Sequence, residues 1–213
     1  MQFILVLLFL VILVIPFSSC KKNSDKNTIV TPSDDIVFHD FFPDTSFTSV
    51  KLWEYTQMGT FPVPSDSAAG IFLKFDQDSI VGLFISTYYN FVSASNPEAN
   101  YNYSADLYSA RSTDSVAVET IYSPRANQFV KDSLIPGRSH FSTYGFMYGE
   151  GHTTFVTPAP VGDAYFGFKL FRNGGSHFGW VLLNINTESK TLTLKEYAVN
   201  RTPNRPIKAG QKN

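Results

Sequence analysis

The sequence is almost without cysteine, poor in charge and short of helical patterning. Cys20 is the one cysteine in 213 residues, so no internal disulfide can form and the fold must be held by its core. Lysine and arginine number 17 against 18 acidic residues, a net charge of −1, which leaves no basic field for nucleic acid. Beyond the first residues no long segment carries a 3.6-residue apolar period, which excludes a helical body. Catalytic signatures are missing as well. No G-x-S-x-G surrounds a serine. His39, His140, His152 and His177 form neither an i,i+2 pair nor an HxxxH pair, the spacings that build metal sites. The E-x-D-x-x-E string that carries paired carboxylates on one strand does not occur. No cofactor site is read.

What the chain does have is aromatic residues, 20 Phe and 11 Tyr, against only 16% charged residues. That balance favours packed sheets. Period-two alternation marks strands over residues 36–42, 47–55, 71–76, 80–87, 101–108, 115–122, 127–134, 140–148, 152–157 and 164–171. Residues 59–67, with Pro62 and Pro64, read as loop or edge. The clearest signal is 177–199. There Trp180, Leu182 and Asn184 alternate with Val181, Leu183 and Ile185. Leu192 and Leu194 then alternate with Thr191, Thr193, Lys195 and Tyr197, and residues 186–190 form the turn. Gly179 beside Trp180 marks a close backbone approach. The expected fold is all-β: one β-sandwich or jelly roll of roughly ten to thirteen short antiparallel strands, residues 36–210, with a signal-peptide helix and a flexible tether before it. About 175 residues suffice for one such core.

The first residues set the compartment. Residues 3–15 are unbroken apolar sequence, shorter than the roughly 20 residues of a spanning helix and of signal-peptide length. Pro16 and then Phe17-Ser18-Ser19-Cys20 follow. Small residues before a cysteine resemble a bacterial lipobox, in which the thiol is acylated and the chain is cut in front of it. This makes 1–19 a lipoprotein signal peptide, Cys20 the lipidation site and the polar stretch 20–35 a tether. With Lys21-Lys22 after the cysteine and no Asp directly following it, the expected location is the outer membrane. An ordinary signal peptide with an incidental cysteine is the competing account.

The runs YFGFK (165–169), HFGWV (177–181), LTLKEYAVN (192–200) and TPNRPIKAG (202–210) together resemble a recurrent tail of secreted bacterial proteins. The resemblance covers about the last quarter of the chain. It implies an extracytoplasmic all-β domain and no defined activity. Relatives of that kind often carry an Asp/Asn-rich, calcium-like segment, to which Asp76-Gln77-Asp78 is the nearest approach here.

Four candidate chemistries remain. Tyr88, Tyr89, Phe91, Tyr101, Tyr103 and Tyr108 gather around a Ser/Asn loop. Exposed tyrosines stack on sugar rings while Asn100 and Asn102 hydrogen-bond hydroxyls; the plainer account packs these rings into the sandwich rim. Asp-Ser followed by an aliphatic residue or Ala occurs four times, at Ser67, Ser79, Ser115 and Ser133. It resembles a bacterial O-glycosylation acceptor, and is equally good turn chemistry. Asp76-Gln77-Asp78 reads as an acidic turn, with calcium ligation as the alternative. Two histidines brought together beside Glu150 or Asp163 would make a metal site, and Glu119 and Glu150 are the glutamates within strand-like regions of the middle of the chain that a hydrolase would pair. The expectation is a lipid-anchored envelope β-sandwich that binds something, carbohydrate first, or is purely structural. An envelope glycoside hydrolase of concanavalin-like or jelly-roll fold is the alternative.

Overall fold

A computed structural model describes residues 35–49, 52–55, 62–65, 67–75, 81–91, 101–119, 121, 124–137, 139–151 and 162–213. The chain divides into two compact units, Met1–Ser33 and Asp34–Asn213, and every described residue belongs to the second. Cys20, the signal peptide, the tether but for Asp35, the expected strand 152–157, Asp76-Gln77-Asp78, Ser79 and Asn100 lie outside the described residues.

The described chain is all-β, with antiparallel sheets packed together as a β-sandwich. In chain order its strands are β1 (Ile36–Thr48), β2 (Leu52–Tyr55), β3 (Pro62–Ser65), β4 (Ser67–Lys74), β5 (Val81–Phe91), β6 (Tyr101–Ser109), β7 (Ser115–Val118) and β8 (Gln128–Phe129). They continue as β9 (Leu134–Ile135), β10 (His140–Ser142), β11 (Tyr144–Gly151), β12 (Asp163–Arg172), β13 (Gly175–Asn186), β14 (Thr191–Asn200) and β15 (Ile207–Lys208). A seven-stranded sheet runs β1-β14-β13-β12-β7-β10, with β8 also on β12. A four-stranded sheet runs β11-β6-β5-β4, and β2 with β3 and β15 with β9 make two small ribbons.

The fifteen strands among the described residues exceed the ten to thirteen expected because period-two sequence continues through corners. The run 140–148 breaks at Thr143, with β10 joining one sheet and β11 the other. The run 127–134 breaks at Asp132, whose φ of 69° makes a turn. The Pro62–Ser65 segment, read as loop or edge, pairs with β2 alone.

The inner faces of the two large sheets make the main core. Val181, Leu183 and Ile185 of β13 meet Leu83, Ile85 and Leu107 of the four-stranded sheet there. Leu192 and Leu194 join them as the alternation requires. Tyr197, which simple alternation sets opposite those leucines, joins them too. The cause is a bulge: Leu182 pairs with Glu196 and Leu183 with Leu194, so Lys195 is the extra residue and the parity beyond it reverses.

The outer face of the seven-stranded sheet carries a second core of Ile135, Trp180, Leu182, Ala198, Ile207 and Ala209. The C-terminal tail covers it. The Trp180 Nε1–H donates to the Gln211 carbonyl at 3.1 Å, and Tyr165 meets the Trp180 ring edge-on at 5.2 Å. Buried Asn200 clasps the tail, donating from Nδ2 to the Pro206 carbonyl at 3.1 Å and accepting the Thr202 N–H at 2.9 Å. Much of the quoted tail pattern therefore has a packing role in this chain. Gly179 is where the alternation needs a bare backbone. A Cβ there would lie 2.3 Å from the Phe168 ring and 2.6 Å from the Ala198 carbonyl.

Candidate functional site

Because β5 and β6 send Leu83, Ile85, Tyr89, Tyr103, Ala105 and Leu107 into the core, the alternate residues must face outward. Register then aligns them across the sheet. Phe72 of β4 lies opposite Phe84, Phe84 opposite Tyr108, and Tyr108 opposite Tyr144 of β11. Ring centroids in this row are 4.4, 6.2 and 4.9 Å apart. One row over, Gly70, Ser86, Asp106 and Phe146 are aligned in the same way. Gly70 is required by the ring above it, since a Cβ there would fall 2.8 Å from Phe84. A third row places Tyr88 between Ala68 and Ser104.

The result is a cleft of about 300 Å³ lined by Ala68, Phe84, Ser86, Tyr88 and Tyr108. That is the small end of the range for ligand pockets, with the usual apolar walls and few polar groups. Phe72 and Tyr108 remain 58% and 37% exposed.

Asp106 sets the electrostatics. It is only 3% exposed. Its Oδ2 accepts the Ser104 hydroxyl at 2.6 Å and its Oδ1 the Tyr144 hydroxyl at 2.8 Å. Burial pushes its carboxyl pKa up, against the pull of those two hydrogen bonds. Burial, and then the nearby Asp106 and Tyr88, push the Tyr108 phenol up to about 12. Tyr144 is raised by burial, the Asp106 charge and its hydrogen bond. Both phenols therefore stay protonated at neutral pH. None of the described cleft-lining residues is cationic. Lys74 ends β4 on the far side of the aromatic row, and Arg125, bridged to the β11 edge at Phe146, is paired with Glu119 at 3.8 Å.

The structure divides the expected tyrosine cluster. Tyr88 faces outward into the cleft. Tyr89 and Tyr103 do not: both point into the main core, Tyr103 with 1% exposure. A ring so buried has no face to offer a sugar, which corrects the expectation for these two. The Tyr103 hydroxyl donates to the Lys190 carbonyl at 3.2 Å, and the Lys190 ammonium sits 5.3 Å from the Tyr103 ring centre. Lys190 also ion-pairs with Glu150. These contacts bind the four-stranded sheet to the β13–β14 turn. Tyr101 and Asn102 are described only as backbone of β6. Tyr108 belonged to the sequence cluster; Phe72, Phe84 and Tyr144 did not, and only strand register brings them together.

The acceptor serines also separate. Ser115 is 8% exposed, its Oγ has no hydrogen-bond partner among the described residues, and the preceding Asp114 is fully buried on Arg172. A glycan has no room there in the folded chain, which corrects the expectation for Ser115. The Ser133 Oγ donates to the Val130 carbonyl in the Asp132 turn. Ser67 opens β4.

The remaining candidates are engaged separately. His39 stacks on Tyr197 at 5.3 Å. His177 Nδ1 lies 3.2 Å from the Asn200 carbonyl, and His140 is exposed on β10. Asp163 holds Lys195 and Asn184, each at 2.9 Å. Among the described residues no three His, Cys, Asp or Glu side chains converge on a metal position. No family model, curated protein or solved structure matches the chain.

Proposed function

We propose that the protein is a lipid-anchored cell-envelope β-sandwich that binds carbohydrate, without catalysis, on the outer face of its four-stranded sheet. The observation that carries this reading is the cleft itself. Phe84, Tyr88 and Tyr108 supply ring surface, and the exposed Tyr108 adds a hydroxyl. A sugar ring has apolar C–H faces and a belt of hydroxyls, and both are matched here. The lipobox-like Phe17-Ser18-Ser19-Cys20 supports an acylated amino terminus, and the absence of Asp directly after Cys20 favours the outer membrane.

A glycoside hydrolase needs two carboxylates across the bound bond, roughly 5–10 Å apart. Among the described residues this face offers Asp106 alone, with both oxygens engaged. Glu150 sits opposite core-facing Tyr103, on the inward side of the sheet, and Glu119 pairs with Arg125. The geometry therefore favours binding over hydrolysis.

The test is a glycan array probed with the full chain in neutral detergent, beside Tyr108→Ala. Stacking contributes about 0.5–1.5 kcal/mol per ring, so the variant should lose most of its signal on any glycan the parent holds. A parent chain that retains no glycan contradicts the reading.

A further inference from the structure

We infer that the cleft and the row Phe72–Phe84–Tyr108–Tyr144 form one continuous site for an uncharged oligosaccharide laid across the strands, the cleft taking one sugar ring and the row taking its neighbours. This rests on the reading that the face binds carbohydrate, and specifies the ligand.

Continuity follows from shared residues. Phe84 and Tyr108 line the cleft and also form the middle of the row. The row does not stop at the cleft wall. It runs from Phe72 on the edge strand β4 to Tyr144 on the edge strand β11, so it crosses the whole sheet. Four strands at about 4.8 Å spacing span roughly 15 Å, longer than one sugar ring. Phe72, at the end of the row, is the most exposed of the large apolar side chains described on this sheet. Its ring stacks on Phe84 at 4.4 Å and leaves its other face to solvent. It extends the apolar strip beyond the cleft.

Charge selects the ligand class. A uronic acid or other anionic sugar would bring a carboxylate beside Asp106, and burying it requires a cation or several donors. Among the described residues the cleft lining provides no cation. Lys74 stands beyond the row and Arg125 is held by Glu119. An uncharged sugar needs only hydroxyl partners, and the exposed Tyr108 supplies one at the cleft.

Calorimetric titration of the full chain in neutral detergent decides the matter. The probes are glucose, mannose, cellohexaose, maltohexaose, mannohexaose and hexagalacturonate. At least one neutral hexaose should bind about tenfold tighter than its own monosaccharide, and hexagalacturonate should not bind. Phe72→Ala should weaken the hexaose about fivefold and the monosaccharide less, and Phe72→Tyr should restore the hexaose. Phe72 is exposed, so both variants should melt with the parent. Equal affinity for hexaose and monosaccharide, a hexaose indifferent to Phe72→Ala, or tight hexagalacturonate binding overturns the inference while leaving carbohydrate binding in place. Failure of every sugar to bind overturns both.

Discussion

Asp114 and Arg172 meet fork to fork inside the sandwich, with Nη1 donating to Oδ1 at 2.6 Å and Nη2 to Oδ2 at 2.8 Å. The Phe171 N–H adds a third hydrogen bond to Oδ1 at 2.9 Å. The pair ties the entry to β7 to the end of β12, two strands that share only a short ladder at Phe168–Val116 and Lys169–Ser115. Breaking a buried pair by removing one partner costs about 3–5 kcal/mol. Asp114→Ala should lower the urea midpoint accordingly, with an unchanged m-value. A midpoint within error of the parent would mean the pair is solvated in solution.

Gly179→Ala should be nearly as damaging, although it adds a single methyl. The new carbon meets the Phe168 ring and the backbone carbonyl of Ala198, and a carbonyl cannot rotate away. Overpacking of this kind costs about 1–3 kcal/mol or more. Thermal denaturation should place the variant several degrees below the parent; coincident melting curves would contradict the close approach of β13 and β14.

Asp106 should make the domain less stable as pH rises. Its folded pKa lies above the 3.8 of the unfolded chain, so between the two values the folded state holds more protons. Stability is then full below the unfolded value and declines as pH climbs through the folded one. Asp163 acts in the opposite sense. Burial opposes the shift, but the hydrogen bonds from Lys195 and Asn184 prevail and lower its pKa. Its contribution is present above 3.8 and is lost only at lower pH, and it is small because the group is largely exposed. Asp106→Asn should flatten the profile of unfolding free energy above about pH 4 and match or exceed the parent at neutral pH. A profile of unchanged slope would remove Asp106 as its cause.

The amino-terminal proposal has its own measurement. Cells fed labelled palmitate should yield a labelled protein in the outer-membrane fraction, and Cys20→Ser should abolish the label, since Cys20 is the one thiol in the chain. A labelled serine variant or an unlabelled parent would refute the anchor.

What could be read from sequence was decided by parity. Within β13 alternation is unbroken from Trp180 to Ile185, so it places 180 and 182 on one face and 181, 183 and 185 on the other, as the structure has them. Across the bulge at Lys195 parity reverses, and alternation puts Tyr197 on the wrong face. The same limit governed the site. The abundance of tyrosines around β5 and β6 is plain in the sequence, but neighbours Tyr88 and Tyr89 necessarily face opposite ways, and only one reaches the cleft. The row Phe72–Phe84–Tyr108–Tyr144 draws one residue from each of four strands. No local pattern announces it, because it exists only once the strand registers are fixed.

The most direct test of a sugar-binding outer face is amide and aromatic NMR shift mapping with a glycan the array identifies. The account predicts that perturbed signals cluster at Phe72, Phe84, Ser86, Tyr88 and Tyr108. Perturbations confined to the opposite sheet, around Trp180 and the tail that covers it, or spread evenly over the surface, would contradict it.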